Sequence, residues 1–184
     1  MRNELNGRQI CLMNQLRVLW QQHVYRTRFF IISTAADLPD LKAVTQWLFE
    51  NPGDFAKTLA PIYGCKAASR FEKLLHEHLA IGGELVNAAK NQNSRLADSA
   101  RKKWYENADR IAAFWASLND CRIEEKWKKM LYSHLDMTEK EVGLRLKGDY
   151  AADIRMFDSI EKEALEMADC MFFDMVNNRK SACR

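Results

Sequence analysis

Imidazole is the side chain best suited to proton transfer and metal ligation near neutral pH. Three of the chain's four histidines, His23, His78 and His134, fall at intervals of 55 and 56 residues. Each sits in a similar phrase: Val18-Leu19-Trp20-Gln21-Gln22-His23-Val24, Lys73-Leu74-Leu75-His76-Glu77-His78-Leu79 and Lys129-Met130-Leu131-Tyr132-Ser133-His134-Leu135. Three neutral imidazoles joined by a carboxylate suit Zn²⁺, Fe²⁺, Mn²⁺ or Ni²⁺, and bundle interiors are common places for such sites. Asp158 and Glu161 are the best-placed carboxylates for that fourth role, with Glu77 and Asp109 pointing away from the apolar stripe. A site with three histidines and an open position would activate water or bind a small molecule, as in a metal-dependent hydrolase or transferase.

The same residues also support a purely structural or protein-interaction bundle. Asn51, Asn107 and Asp158 or Glu161 follow on the return segments at similar heights. They offer each histidine a hydrogen-bond partner in a satisfied polar core layer. Neither His-x-x-x-His nor Glu-x-x-His occurs, so the familiar helix-borne ligand signatures are missing. The residues four after each histidine, Thr27, Gly82 and Thr138, are small and leave room beside the rings for a water, an ion or a neighbouring helix. Arg28 and Glu139 stand five residues after His23 and His134, which suggests that they pair. His76, two residues before His78, belongs to the opposite face.

The elements that must position these residues are helices. Apolar residues recur at helical spacing nearly throughout, and Gly (7) and Pro (3) are scarce. The pattern predicts helices over about 11–36, 40–50, 65–90, 94–118, 123–147 and 150–176. The second is expected to break at Asn51-Pro52-Gly53-Asp54, with Asn51 as an N-cap and Pro52 opening a short further segment to about residue 63. The expected fold is all-α: a single domain, 1–184, of about six helices. It is built from three antiparallel hairpins, about 11–63, 65–118 and 122–176, with an internal repeat of about 55 residues.

The net charge is +3, hydrophobic residues are 47% and charged residues 29%. The basic clusters Arg101-Lys102-Lys103 and Lys126-Trp127-Lys128-Lys129 lie beside acidic residues, so solvated helix faces are expected rather than a nucleic-acid footprint. No run of about 18 apolar residues predicts a membrane span. Met1-Arg2-Asn3-Glu4-Leu5-Asn6 lacks the apolar core of a signal peptide. Five cysteines in no close-paired arrangement point to a cytoplasmic setting. Trp104-Tyr105, Trp115, Trp127, Met156, Met167, Met171 and Met175 are at core spacing. Phosphate loops, Gly-x-Ser-x-Gly elbows and Cys-x-x-Cys pairs do not occur.

The runs Leu19 to Arg28, Ile31 to Asp40 and Ala100 to Asp109 resemble a family of small uncharacterised bacterial all-helical proteins, over about residues 12–175. Some of its members carry the label acetylglutamate kinase. Such kinases are larger α/β proteins with glycine-rich phosphate loops, and this chain has neither feature. The resemblance implies a bacterial origin and a cytoplasmic setting.

Overall fold

A computed structural model describes residues 5–177, so Met1 to Glu4 and the last seven residues lie outside the description. Six long helices account for nearly all of it: α1 (Gly7–Ala35), α2 (Leu41–Tyr63), α3 (Cys65–Lys90), α4 (Ser94–Leu118), α5 (Glu124–Leu146) and α6 (Tyr150–Val176). A single 3₁₀ turn, Cys121–Ile123, precedes α5.

Local chemistry sets the ends. Asn6 and Gln9 form a reciprocal capping box, each side chain bonded to the other's backbone N–H at 3.0 Å. The helix therefore starts at Gly7, four residues before the apolar stripe made it visible. Asn93 and Asp149 cap α4 and α6 by accepting from Leu96 N–H and Ala152 N–H. Gly64, at φ 83°, alone joins α2 to α3, a left-handed backbone that favours glycine.

The expected break in α2 does not occur. Helix α2 runs through Pro52 without interruption, and Asn51 has no capping role. Proline in a helix removes one N–H and crowds the carbonyl four residues back, a local cost that tertiary packing overrides here. Asn51, Pro52 and Phe55 are all buried, holding this stretch against the centre of the molecule.

Successive helices pack side by side and α6 returns to α1, closing a ring. Helices α1, α3 and α5 also touch one another across the centre. The bundle thus has an inner trio, with α2, α4 and α6 each set beside two of its members. Side chains seven and three residues before the histidines (Leu16 and Trp20, Phe71 and Leu75, Trp127 and Leu131) belong to the larger apolar core. Those eight residues after (Ile31, Val86, Val142) belong to a smaller one. The histidines therefore stand between the two apolar clusters. No described helix is long and apolar enough to cross a membrane.

Candidate functional site: a three-histidine layer

His23, His78 and His134 are each 3–4% exposed, one from each inner helix. All three line both of the small cavities described below. The His23 and His134 ring centroids stand 5.8 Å apart. All three side chains therefore face the interior and border the same open space.

Two of the three rings are tied by the same hydrogen-bond arrangement. Asn51 Nδ2 donates to Leu19 O at 3.1 Å, the carbonyl four residues before His23. That bond turns Oδ1 toward the ring, and it lies 3.1 Å from His23 Nδ1. Asn107 Nδ2 donates in the same way to Leu74 O at 3.1 Å, four residues before His78, and its Oδ1 lies 2.8 Å from His78 Nδ1. An amide oxygen only accepts, so both imidazoles must carry their proton on Nδ1. Nε2, on the ring edge turned from the amide, is then a bare lone pair. No described residue hydrogen-bonds to Nε2 of any of the three histidines.

Burial and the neighbouring imidazoles keep the first two rings neutral. His23 is lowered to about 3, by burial first and then by His134 and His78, against the favourable Asn51 bond. His78 is lowered to about 4, again chiefly by burial, with the Asn107 bond opposing and His134 adding to the shift.

The third ring differs. His134 Nδ1 lies 3.5 Å from Glu163 Oε2, with side-chain exposures of 5% and 13%. Neither atom has another hydrogen-bond partner among the described residues. Glu163 was not among the sequence candidates, although the spacing contained it. Asn51 follows its histidine by 28 residues, Asn107 by 29, and Glu163 by 29.

Asp158 and Glu161, chosen instead, are displaced. Asp158 is exposed. Glu161 faces α1, where it accepts from Tyr25 Oη at 2.6 Å and Gln21 Nε2 at 3.3 Å. At about 100° per residue, positions 158 and 161 lie roughly 140° and 160° around the helix from 163. Neither reaches the layer. Glu77 instead pairs with Arg110 at 2.5 Å, and Asp109 accepts from Tyr132 Oη at 2.8 Å. His76 is exposed and packs against Phe49.

On the side of the layer toward the smaller core is a cavity of about 30 Å³, bordered by the three histidines, Thr27, Gly82, Thr138 and Trp104. The three small residues four after each histidine thus do border open space. Thr27 and Thr138 hydroxyls donate to His23 O and His134 O, both at 2.8 Å, leaving oxygen lone pairs for the cavity. Gly82 is small because a Cβ there would come within 3.1 Å of the Trp104 ring. A second cavity, of about 20 Å³, lies on the other side among Trp20, Phe71, Leu75 and Trp127. Each volume accommodates one or two water-sized species. Trp20 Nε1 and Trp104 Nε1, one beside each cavity, are buried donors without partners among the described residues.

One turn beyond Thr138 is a buried ionic cluster. Arg28 donates to Glu141 at 2.5 Å and to Asp153 at 2.9 and 3.2 Å, while Arg145 reaches Asp153 at 3.3 Å. Arg28 therefore does not pair with Glu139, which accepts from Arg101 at 2.8 Å. Glu141 is pushed up to about 7 by burial and by Asp153, with Arg28 and Arg145 opposing.

Among the described residues, no group of three or more His, Cys, Asp or Glu side chains is placed to hold a metal ion. No protein-family model, curated protein or solved structure matches the chain.

Proposed function

We propose that the bundle is a ligand-binding protein whose central site takes a divalent transition-metal ion (Zn, Fe, Mn or Ni) on Nε2 of His23, His78 and His134. The observation that carries this reading is the outward tie of Nδ1 in His23 and His78. A ligating histidine commonly donates its other ring N–H to a fixed acceptor, which sets the tautomer and aims the lone pair at the metal. With a metal–nitrogen distance of about 2.1 Å, two imidazoles on one tetrahedral ion have centroids roughly 5 Å apart. The observed 5.8 Å is within about an ångström of that. That spacing is for His23 and His134 alone; ion binding requires His78 to draw in beside them around the adjoining cavity, where bound water would complete the coordination.

A second reading is a polar layer that fixes the register of the hairpins and binds nothing. It is favoured by the hydrogen bonds at both ends of the Asn51 and Asn107 amides and by the lack of a metal-ligand group among the described residues.

Metal loading separates the two. Untagged protein would be incubated with each of the four ions and with Co²⁺, then desalted and assayed for bound metal by mass spectrometry. One ion per chain, lost in His23→Ala, His78→Ala and His134→Ala, supports the ligand site. Substoichiometric metal under every condition refutes it and leaves the structural layer.

A further inference from the structure

His134 is the one imidazole of the layer without an amide partner, and the residue placed where that amide would stand is Glu163. The placement follows from the hairpin geometry. An inner-helix histidine and the outer-helix residue 28 or 29 positions later meet across each hairpin. In the third hairpin the meeting atoms are His134 Nδ1 and Glu163 Oε2, 3.5 Å apart and a few tenths of an ångström beyond a hydrogen bond. Both are buried, and among the described residues neither has any other partner. The remaining neighbours of the ring do not compete for Nδ1. His23 approaches ring to ring from α1, and His78 borders the same cavities from α3. From α4, Trp104 and Ile111 border those cavities, and Asn107 is committed to His78 and Leu74.

We infer that Glu163 is the positioning residue of His134: its carboxylate accepts Nδ1–H, turns a bare Nε2 toward the cavity and so completes a set of three inward lone pairs. A carboxylate only accepts when ionised, and it makes a stronger bond than the two amides do. Its presence at one of three otherwise amide positions sets a single carboxylate against a site whose other two imidazoles are neutral. A site of three lone pairs backed by one carboxylate selects a cation over a neutral or anionic guest. This selectivity rests on the ligand reading above; the tautomer assignment does not.

The test uses the full chain with ¹⁵N-labelled histidine. Ring nitrogen shifts report which nitrogen carries the proton in wild type, Glu163→Gln and Glu163→Ala. The expected result is an Nδ1–H tautomer for His134 in wild type and Glu163→Gln, and an Nε2–H tautomer in Glu163→Ala, with His23 and His78 unchanged in all three. An Nε2–H His134 in wild type overturns the assignment. So does an unchanged ring in a folded Glu163→Ala. Should that variant fail to fold, the wild-type and Glu163→Gln spectra still decide.

Co²⁺ titration then reads the charge. Loss of a partner behind a ligating histidine typically weakens binding by about 10- to 100-fold. Glu163→Gln, which keeps an acceptor and loses the carboxylate, should show a Kd raised by roughly tenfold. Equal Kd values for wild type and Glu163→Gln overturn the selectivity while leaving the tautomer intact. If no Co²⁺ binds wild type although His134 carries the expected tautomer, the metal reading and the selectivity fail, and Glu163 stands as a positioning residue of a structural layer.

Discussion

Replacing Asn51 by alanine strikes the layer at a residue that is 0% exposed and bonded at both ends. The change strands His23 Nδ1–H, held 3.1 Å from the amide oxygen, and removes the donor to Leu19 O. An unsatisfied buried donor costs about 1–3 kcal/mol, and a lost neutral hydrogen bond about 0.5–1.5 kcal/mol. Leu19 O keeps its helical N–H and adds little. The expected destabilisation is roughly 2–4 kcal/mol, or about 5–15 °C in Tm for a chain of this size. Asn107→Ala removes an equivalent pair of bonds, at 2.8 and 3.1 Å, and should cost the same to within about 1 kcal/mol. Asn51→Asp sharpens the comparison. A helix cap accepts Asp as readily as Asn, whereas in the layer a carboxylate faces Leu19 O with no proton to give. Urea and thermal unfolding followed by circular dichroism measure all three, with Asn91→Ala as an exposed control whose amide bonds only Asn87 O. A Tm loss under about 2 °C for Asn51→Ala, or an Asn51→Asp variant as stable as wild type, would refute the buried-layer account.

Four further outcomes are expected. Lowered histidine pKa values mean that the unfolded chain binds more protons between pH 6.5 and about 4. His23 and His78 should therefore stabilise the fold fully above pH 6.5 and lose that contribution on acidification, each by about 1.4 kcal/mol per pH unit. The raised Glu141 acts oppositely between pH 4.5 and about 7, where the folded state holds the extra proton, so Glu141→Gln should steepen the acid slope of the urea midpoint; an unchanged slope contradicts the assignment. Gly82→Ala gains up to about 1 kcal/mol of helix propensity but forces a methyl group to 3.1 Å from the Trp104 ring, and a net loss with altered tryptophan emission is expected; a stabilised protein would show that Trp104 yields freely. Asp174→Ala strands two indole donors, Trp115 Nε1 at 3.0 Å and Trp127 Nε1 at 2.7 Å, and should cost roughly 2–5 kcal/mol in chemical unfolding, while a loss below about 1 kcal/mol would mean that water replaces the carboxylate.

How far the site could be read beforehand differs from residue to residue. The inward direction of His23, His78 and His134 was legible because each continues an apolar stripe, and a 3.6-residue period converts spacing into a face. Asn107 was legible for the same reason. Asn51 was visible as a partner but masked by Pro52, since Asn-Pro-Gly-Asp is chemically a good helix start. Glu163 was obscured by two other acidic residues within five positions, Asp158 and Glu161, which stand at similar heights on the return segment. The constant histidine-to-partner interval was the signal that would have found it. Arg28 had no local cue: its partners Glu141 and Asp153 are 113 and 125 residues away.

The sequence by itself determined six helices, their order and the faces they bury, because period, caps and turn residues act over four residues or fewer. Local hydrogen-bonding geometry is enough for that. The tertiary structure alone decided which side chains meet. It carried α2 through its proline by burying Asn51, Pro52 and Phe55, and it brought α1, α3 and α5 together so that histidines 55 residues apart share one layer. Which ring nitrogen carries the proton is also a tertiary matter. The choice depends on an amide held by a carbonyl on another helix, a contact that exists only once the hairpin has closed.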